Sequence, residues 1–558
     1  MKIKRGLKYT LLSGAAAVIV GLCVAAAGSD FALGRNIQIL FNMFREIGIV
    51  YVDPVDTDKL LRDAAAGMVS GLDPYTVLIP EDEMSRFEIL ITGKYGGMGA
   101  LVRKNGDYVE ISQPYKGFPA DKAGLVPGDR ILDVDGVDVK GYDITKVSEL
   151  LKGEPGTTLN IRVEKLLTGR AEELSFKRER IVISGISYYG VVGDRTGYIV
   201  HSDFSEDSGN DFRKAFLDLK GQGITSLIID LRNNTGGIMQ EAVKIMSMFV
   251  PKGTEVVSTR GRNQEQYLSY KTENDPLDTE IPVVVLVNGE SASASEIVAG
   301  AFQDLDRGVL VGQRTFGKGL VQASRSLGYN AYLKITTAKY YIPSGRCIQA
   351  IDYAHRNEDG SLGYIPDSLI TEFTTKNGRK VYDGAGVMPD IRMQAAPYPG
   401  GFTETLYSRG YIEDFANEYF KKNHGTPVNV DTFSLSDADY ADFVKFMADK
   451  SVDFESGTSD ALATLRRRAQ QEKYIDRIST ELDRIEAKIK GDKNTDLQLF
   501  RADISKIITD DIVMRFHYGE GVIRHNIRSD EDINAAVALL SDPARYRTII
   551  TSQDTARK

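Results

Sequence analysis

Between residues 197 and 391, short apolar runs alternate with helical patterns, and this alternation restricts the fold more than any other feature of the chain. Three of the runs are apolar at consecutive central positions rather than at every second one: Ser226–Asp230, Val283–Val287 and Val309–Gly312. Strands of this kind are covered on both faces, as parallel strands flanked by helices are. The stretch therefore predicts a layered α/β domain with its chemistry at the loops that leave the strands.

The N-terminus has the order of an export signal. Four basic residues precede an apolar stretch from Leu11 to about Ala27, which ends in small residues. This pattern predicts export and leaves cleavage open, because roughly 17 to 20 apolar residues also approach the length of a membrane anchor. Cys23 follows a leucine, which argues against a lipid-attachment site. We expect a location in the cell envelope, either periplasmic or anchored to the inner membrane and facing the periplasm.

Composition narrows the classes of function. A net charge of −9 argues against a nucleic-acid partner, whose phosphates require a basic face. Beyond the N-terminal stretch Cys347 is the single cysteine, so the mature chain can form no internal disulfide. No local motif supplies Cys347 with a histidine, which favours a packed thiol over a nucleophile. The sequence contains no metal-ligand spacing, and we predict neither a metal nor a cofactor.

Two polar segments follow apolar strands and carry the residue types of nucleophilic catalysis. They are VNGESASASEI at 287–297 and TFGKGLVQ at 315–322. A serine where a strand leads into a helix lies near free helix N–H groups, which can stabilise an oxyanion. The residues alone leave a plainer interpretation open, because serines at such a junction are usually N-caps and a lysine between glycines can be a surface turn.

Several strings in one order resemble the C-terminal processing, or tail-specific, protease family of serine–lysine peptidases. They are DLRNNTGG at 230–237, SASASEI at 291–297, TFGKG at 315–319 followed by Gln322, TTAKYYIPSGR at 336–346 and GVMPD at 386–390. The resemblance extends from about Tyr51 to Ile391 and implies a crotonase-like arrangement for the layered core. Two departures are a long tail beyond Thr403 and Thr235 at a position where proline is common.

The resemblance implies a role for each matching position. It makes Ser293 the nucleophile, Lys318 the general base and Gln322 the residue that holds the lysine amine. The implied oxyanion donors are the backbone N–H groups of Ala294 and of one glycine in the pair Gly236 and Gly237. A lysine acts as a base only where burial lowers its pKa by several units, and an uncharged glutamine partner suits that requirement.

A second resemblance covers GFPADKAGL at 117–125 and PGDRI at 127–131, which are similar to the PDZ domains of bacterial proteases. In such domains a glycine-rich loop offers backbone N–H groups to a peptide's terminal carboxylate, and the next strand pairs with the peptide. The predicted peptide-binding residues are Tyr95, Gly96, Gly97, Met98, Gly99 and Ala100. The expected partners are protein or peptide substrates with free C-termini.

The fold class predicted for the whole chain is multidomain α+β. The domains are a signal peptide or anchor at 1–28, a helical N-terminal unit at 29–93, a PDZ-like β domain at 94–166, the layered serine protease core at 167–400 and a helical C-terminal domain at 401–558. The last domain shows no recognisable chemistry, and an accessory or oligomerisation role leaves a homo-oligomer open.

Other functions fit the sequence less well. A proteolytically inactive PDZ scaffold would not need the serine, lysine, glutamine and glycine turn together, and an acyl-CoA enzyme of the crotonase type would explain neither the PDZ unit nor the export signal. His201, with Asp203 nearby, is the sole candidate for a serine–histidine–aspartate triad. The string from Gly312 to Lys318 matches a phosphate-binding loop, but Gly319 replaces the hydroxyl residue that would hold magnesium.

Overall fold

The computed structural model describes residues 31–263, 267–357, 359–395, 400–452, 454, 456–489 and 493–551. The chain forms two compact units: one holds the residues up to Glu81 together with Ala323–Thr336, and the other holds Asp82–Gln322 and the chain from Thr337 onward. In the described ranges no helix combines the length and the apolar character that a bilayer crossing requires. The predicted export segment at 1–28 lies outside the described residues.

Among its described residues, the first unit contains two helices, one short strand and two paired strand segments at 323–328 and 331–336. Its elements are α1 (31–50), α2 (Thr57–Val69) and β1 (Val77–Ile79). The Asp56 side chain caps α2 by accepting from the Asp58 and Lys59 backbone N–H groups. Strand β1 pairs antiparallel with residues 332–334 of the second segment of this unit.

In the second unit a six-stranded antiparallel sheet forms the PDZ domain, with the order β3-β4-β5-β7-β8 and β6 beside β5. Alternating burial of Leu159, Ile161 and Val163 shows the period of two that places one face of β7 in the core. The elements are α3 (Met84–Thr92), β2 (Lys94–Gly97), β3 (Ala100–Asn105), β4 (Tyr108–Pro114), α4 (Pro119–Lys122), β5 (Arg130–Val134), β6 (Val137–Asp138), α5 (Ile144–Leu151), β7 (Thr158–Glu164), β8 (Ala171–Lys177) and β9 (Glu179–Val182).

The sheet continues past the predicted domain boundary at residue 166. Every residue of β8 pairs with β7, from Thr158 opposite Lys177 to Glu164 opposite Ala171. The chain then returns to pair β9 with β2. The predicted boundary at 166 therefore falls inside the β7–β8 hairpin. The sequence did not show this, because β8 is fixed by pairing with β7 and no change in composition marks its end.

The protease core is built on a six-stranded sheet with the order β10-β11-β12-β15-β16-β23, parallel from β11 onward. This confirms the predicted layered α/β core. The elements of the chain between 186 and 392, of which residues 323–336 belong to the first unit, are β10 (Ile186–Val192), β11 (Thr196–His201), α6 (Ser208–Gly221), β12 (Ser226–Asp230), α7 (Met239–Met246), β13 (Glu255–Gly261), β14 (Leu268–Lys271), β15 (Val283–Val287), α8 (Ala294–Asp304), β16 (Val309–Gly312), β17 (Leu320–Gly328), β18 (Ala331–Tyr341), β19 (Ile351–Arg356), β20 (Leu362–Tyr364), β21 (Glu372–Thr374), β22 (Lys380–Tyr382) and β23 (Ile391–Arg392).

Both faces of this central sheet are buried. Leu227 and Ile229 point to the face that α6, α7 and α8 cover, where Phe212 and Phe302 pack in the same cluster. Ile228 lies on the opposite face with residues from the far C-terminal end of the chain. The apolar centres of the strands are therefore explained by two helical layers.

The C-terminal region is helical, as predicted, and has two parts. Its helices are α9 (Gly401–Ser408), α10 (Tyr411–Asn423), α11 (Asp437–Phe446), α12 (Gly457–Gln471), α13 (Ile475–Ile489), α14 (Lys493–Leu499), α15 (Arg501–Asn526), α16 (Glu531–Leu540) and α17 (Pro543–Thr551). An aromatic core that includes Phe402, Phe415 and Phe443 joins α9, α10, α11, α14 and α15 of the first part. The second part, α16 and α17, covers the outer face of the protease sheet, where the Tyr546 hydroxyl bonds the backbone of Val283 at 3.0 Å.

Candidate active site

Ser293 lies at the junction between β15 and α8 in an unusual backbone conformation. Its φ of 57° and ψ of −114° fall in a region that residues with a side chain rarely adopt. Its N–H donates to Glu296 Oε2 at 2.9 Å, and its carbonyl accepts from the buried Tyr340 hydroxyl at 3.1 Å. Hydrogen bonds to both peptide groups of Ser293 therefore hold the strained turn.

The three serines of this segment have different environments. The Ser291 hydroxyl donates to the Leu231 carbonyl at 2.8 Å, and the Ser295 hydroxyl donates to the Asn234 carbonyl at 2.8 Å. Both of these residues are fully buried, whereas Ser293 is partly exposed. Ser291 and Ser295 therefore join the segment to the neighbouring DLRNN turn, and Ser293 is the serine of the three that is partly exposed to solvent.

The glycine pair lies against the Ser293 turn. A Cβ atom on Gly236 would stand 2.7 Å from the Ser293 Cβ and 2.8 Å from the Ala294 nitrogen. A Cβ atom on Gly237 would stand 2.5 Å from the Phe204 carbonyl oxygen. Both glycines have positive φ, so two independent constraints exclude a larger residue here.

The hydrogen bonds distinguish the two glycine amides. The Gly236 N–H donates to Asn234 Oδ1 at 2.9 Å, and Asn234 is itself held by the His201 carbonyl. Over the described part of the chain, no acceptor is assigned to the N–H of Gly237 or to that of Ala294. Of the amides predicted to stabilise an oxyanion, these two are the ones that remain available.

Lys318 lies in a turn between β16 and β17 whose backbone is enclosed. Gly317 has a φ of 85° and packs against Ala350, while the Gly319 N–H donates to Gln349 Oε1 at 2.8 Å. Lys318 is partly buried, and Gln322 follows it in β17, also partly buried. The turn therefore presents the lysine from a fixed backbone rather than from a free surface loop.

Glu296 connects the serine turn to the lysine turn, and the predicted site did not include it. The carboxylate is fully buried and accepts from four donors: the Ser293 N–H, the Gly317 and Lys318 N–H groups at 2.8 Å, and the Thr315 hydroxyl at 2.5 Å. A glutamate three residues after a serine at a helix start is a capping-box signal that was present in the string SASASEI. The sequence could not show the bonds to the second turn.

Burial raises the pKa of Glu296 to about 7, and the hydrogen bonds from Thr315, Lys318, Gly317 and Ser293 oppose that rise. Because all four partners are donors, the ionised carboxylate is the form that fits the site.

Glu296→Gln is expected to lower kcat by roughly 10- to 100-fold, because the amide NH₂ group would face N–H donors and loosen both turns. Steady-state cleavage kinetics would measure the loss. Glu241→Gln is the matched control, since Glu241 is also buried and also accepts a backbone N–H, that of Gly209, away from both turns. A wild-type kcat in Glu296→Gln would contradict this role.

The alternative base His201 is placed in an aromatic pocket. Its ring stacks edge-on with Phe204 at 4.3 Å and lies 6.0 Å from Phe212, and its two nitrogens have no hydrogen-bond partner among the described residues. Burial lowers the pKa of His201 to about 3, so the ring is neutral. A triad requires an aspartate to orient the ring, and no such bond to Asp203 is present in the described chain.

The predicted peptide-binding residues do not form one continuous loop. Tyr95, Gly96 and Gly97 belong to β2 and pair with β9, a strand that lies beyond the predicted PDZ boundary. Met98 and Gly99 form the turn into β3, whose first residue is Ala100; their carbonyls accept from Ala120 and Tyr115 at 2.8 Å. Strand β3 is an edge strand of its sheet, and α5 packs against it.

Three family profiles match the chain in the order of these domains. The PDZ domain profile covers residues 110–165, the peptidase family S41 profile covers 195–355, and a profile for the C-terminal helical domain of probable PDZ-proteases covers 402–540. A layered core that matches S41, preceded by a PDZ domain, defines a serine-type peptidase.

Individual relatives narrow this class. The chain is 34% identical over 335 residues to the carboxy-terminal-processing protease of Bartonella bacilliformis. The aligned residues cover 59% of this chain and 74% of that protein. The chain therefore belongs to the carboxy-terminal-processing protease family, and the resemblance seen in the sequence is confirmed. It is also 32% identical over 317 residues to a probable CtpA-like serine protease of Staphylococcus aureus, covering 56% of this chain and 62% of that protein.

Among solved structures, the photosystem II D1 C-terminal processing protease is 26% identical, with 63% of this chain and 86% of that chain covered at a TM-score of 0.34. The family assignment rests on the sequence matches.

Proposed function

We propose that the protein is a serine endopeptidase that captures substrate C-termini through its PDZ domain and hydrolyses peptide bonds with Ser293 and Lys318. The observation that carries the proposal is the Glu296 carboxylate, which bonds the backbone N–H of both residues at 2.8 to 2.9 Å. One buried side chain thereby fixes the predicted nucleophile and the predicted base relative to each other. Export by residues 1–28 would place this activity in the cell envelope.

In the proposed reaction the Ser293 hydroxyl gives its proton to the neutral amine of Lys318 and attacks the substrate carbonyl carbon. The N–H groups of Ala294 and Gly237 receive the oxyanion, because the Gly236 N–H is already bonded to Asn234. The lysine then protonates the leaving amine, and water releases the acyl group by the same route. Gln322, uncharged and four residues after the lysine, is proposed to orient the amine.

Capture of a C-terminus is proposed at the turn of Met98 and Gly99 and along β3. The carbonyls of this turn bond within the domain, and no described residue is assigned as acceptor for its two N–H groups. Among the described strands β3 pairs with β4 alone and lies at the edge of its sheet, so a bound peptide can add a strand there; Leu101 on β3 is 49% exposed. A peptide whose terminal carboxylate binds the N–H groups of this turn can therefore continue as an added strand along β3.

Amidating the C-terminus of an apolar-ended peptide is expected to weaken its binding by about tenfold or more, because the amide replaces an anion with a neutral group. The measurement is a fluorescence titration of the Ser293→Ala chain, which binds peptide without consuming it. A peptide with the same free acid but a charged last residue tests the side-chain contribution separately. Equal affinity of acid and amide would exclude carboxylate capture.

A further inference from the structure

We infer that the C-terminal helical domain supplies two residues that position the oxyanion-binding turn. The residues are Asp530 and Asp532, and they act through Arg232 of the DLRNN turn. The inference rests on the proposed function, because it concerns the alignment of the Gly237 N–H in the reaction. It assigns an active-site role to a domain whose sequence contains no catalytic motif.

The turn between Asp230 and Gly237 is held on its inner side by the core. The Ser291 and Ser295 hydroxyls bond the carbonyls of Leu231 and Asn234, and the Asn234 side chain bonds the His201 carbonyl at 2.6 Å. These contacts fix the middle of the turn against α8 and β11. They do not reach its outer side, where the Arg232 side chain lies.

Arg232 ties the outer side of the turn to α16. Its Nη1 donates to Asp530 and Asp532 at 3.1 Å each, while Nε and Nη2 donate to Asp230 at 3.0 and 2.6 Å. Asp230 in turn accepts from the Tyr198 hydroxyl at 2.7 Å. The Arg232 side chain is 17% exposed, so this is a partly buried network rather than a fully exposed surface ion pair.

The two carboxylates come from a rigid support. Asp530 is the N-cap of α16 and accepts the Ile533 N–H at 3.0 Å, and Asp532 lies in the first turn of that helix. Ile533, Ala536 and Leu539 of α16 pack against the outer face of the protease sheet. Helix α16 therefore carries fixed charges to the start of the turn that ends in Gly237.

Such a tie matters because an oxyanion donor must be aligned to within a fraction of an ångström of the developing charge. Arg232 precedes Gly237 by five residues in one continuous turn. Its neighbours Leu231 and Asn233 are bonded to Leu286 and Asn288, so loss of the outer contacts would shift the Arg232 side chain and the peptide groups beside it rather than release the turn. We therefore expect weaker stabilisation of the transition state and unchanged ground-state binding of the peptide.

The same helical domain also contacts the PDZ strand proposed to bind peptide. Arg103 on β3 forms an ion pair with Glu413 of α10, and Asn105 on β3 donates to Asp414 at 3.0 Å. The Tyr518 hydroxyl of α15 donates to Asp121 at 3.1 Å. One domain thus touches both the strand proposed for capture and the turn proposed for catalysis.

The test is the full chain carrying Asp530→Asn and Asp532→Asn together. Asparagine at 530 keeps the N-cap, so the start of α16 is preserved while both charges are removed. We expect kcat to fall roughly 10- to 100-fold with KM changed by less than about twofold. Affinity for a peptide boronic acid, whose tetrahedral adduct on serine places an oxygen at the oxyanion site, is expected to fall in parallel.

Asp431→Asn is the matched control, since Asp431 also pairs with an arginine of the same domain, Arg524, at 2.6 Å. Asp532→Glu keeps the charge and is expected to retain most of kcat. This variant distinguishes loss of the ion pair from loss of folding as the cause of a lower kcat in the double variant. Unchanged kcat and boronate affinity in the double variant would overturn the inference. A wild-type chain that neither cleaves peptide nor binds the boronate would instead contradict the proposed function.

Discussion

Replacing Ser293 with alanine is expected to abolish peptide cleavage and to leave capture of a peptide C-terminus unchanged. The loss should be roughly 10⁴-fold or more, because no other group in the proposed mechanism can form the acyl intermediate. Capture should survive because it is proposed for the turn at Met98 and Gly99, in another domain. The measurements are product formation from one peptide by chromatography and a binding titration with the same peptide.

Ser291→Ala and Ser295→Ala are the matched controls for this prediction. Each removes a buried hydroxyl that donates to a backbone carbonyl, of Leu231 and Asn234 respectively. Both carbonyls also accept a backbone N–H, so the expected cost is about 0.5 to 1.5 kcal/mol of folding stability for each lost hydroxyl bond, with most of the activity retained. A dead Ser295→Ala chain beside an active Ser293→Ala chain would show that the nucleophile was assigned to the wrong serine.

Replacing Lys318 with arginine is expected to inactivate the protein nearly as completely as replacing it with alanine. Guanidinium stays protonated at every accessible pH, so it cannot accept the Ser293 proton whatever its position. Gln322→Ala should be milder, since it removes orientation of the amine and leaves the proton acceptor. Thermal melts of all three variants establish that each is folded before its cleavage rate is compared.

The pH dependence of the wild-type rate follows from the same assignment. Lys318 must be neutral to act, so the rate should rise with pH through a lysine pKa well below the roughly 10.4 of a free side chain. Glu296 acts in the same direction, because its pKa of about 7 means that protonation below this value removes an acceptor from the two turns. The comparison covers about pH 6 to 10. Substantial activity in Lys318→Arg would exclude the lysine as base.

Much of the candidate site could be predicted because its residues occur in short contiguous strings. The Ser293 turn, the two glycines and the Lys318 turn each lie in such a string, and the order and spacing of the strings matched a family pattern. The family, the layered core and the helical C-terminal domain were predicted for the same reason. The choice of Ser293 among three serines came from the resemblance, and burial of Ser291 and Ser295 supports it.

Other features depended on contacts between distant segments. The string SASASEI contains the spacing of a capping box at Ser293 and Glu296, which was not used in the prediction, and the bonds of Glu296 to Gly317 and Lys318 exist only after β15 and β16 pair side by side. The peptide-binding segment from Tyr95 to Ala100 contained a strand because β9, beyond the predicted boundary, pairs with its first half. Neither the contact between Glu296 and the Lys318 turn nor the pairing of β9 with β2 can be recognised from the composition of the segments involved.

The sequence by itself determined the order of the domains, the buried parallel strands and the residue types at the turns, because hydrophobic periodicity acts over a few residues and the turn residues lie in short strings that matched a family pattern. Tertiary structure alone decided which glycine amide stays available, that one buried carboxylate joins the serine and lysine turns, and that α16 returns to pair Asp530 and Asp532 with Arg232. The physical reason is that hydrogen bonds and ion pairs form between atoms brought within about 3 Å, and separation along the chain does not report that distance.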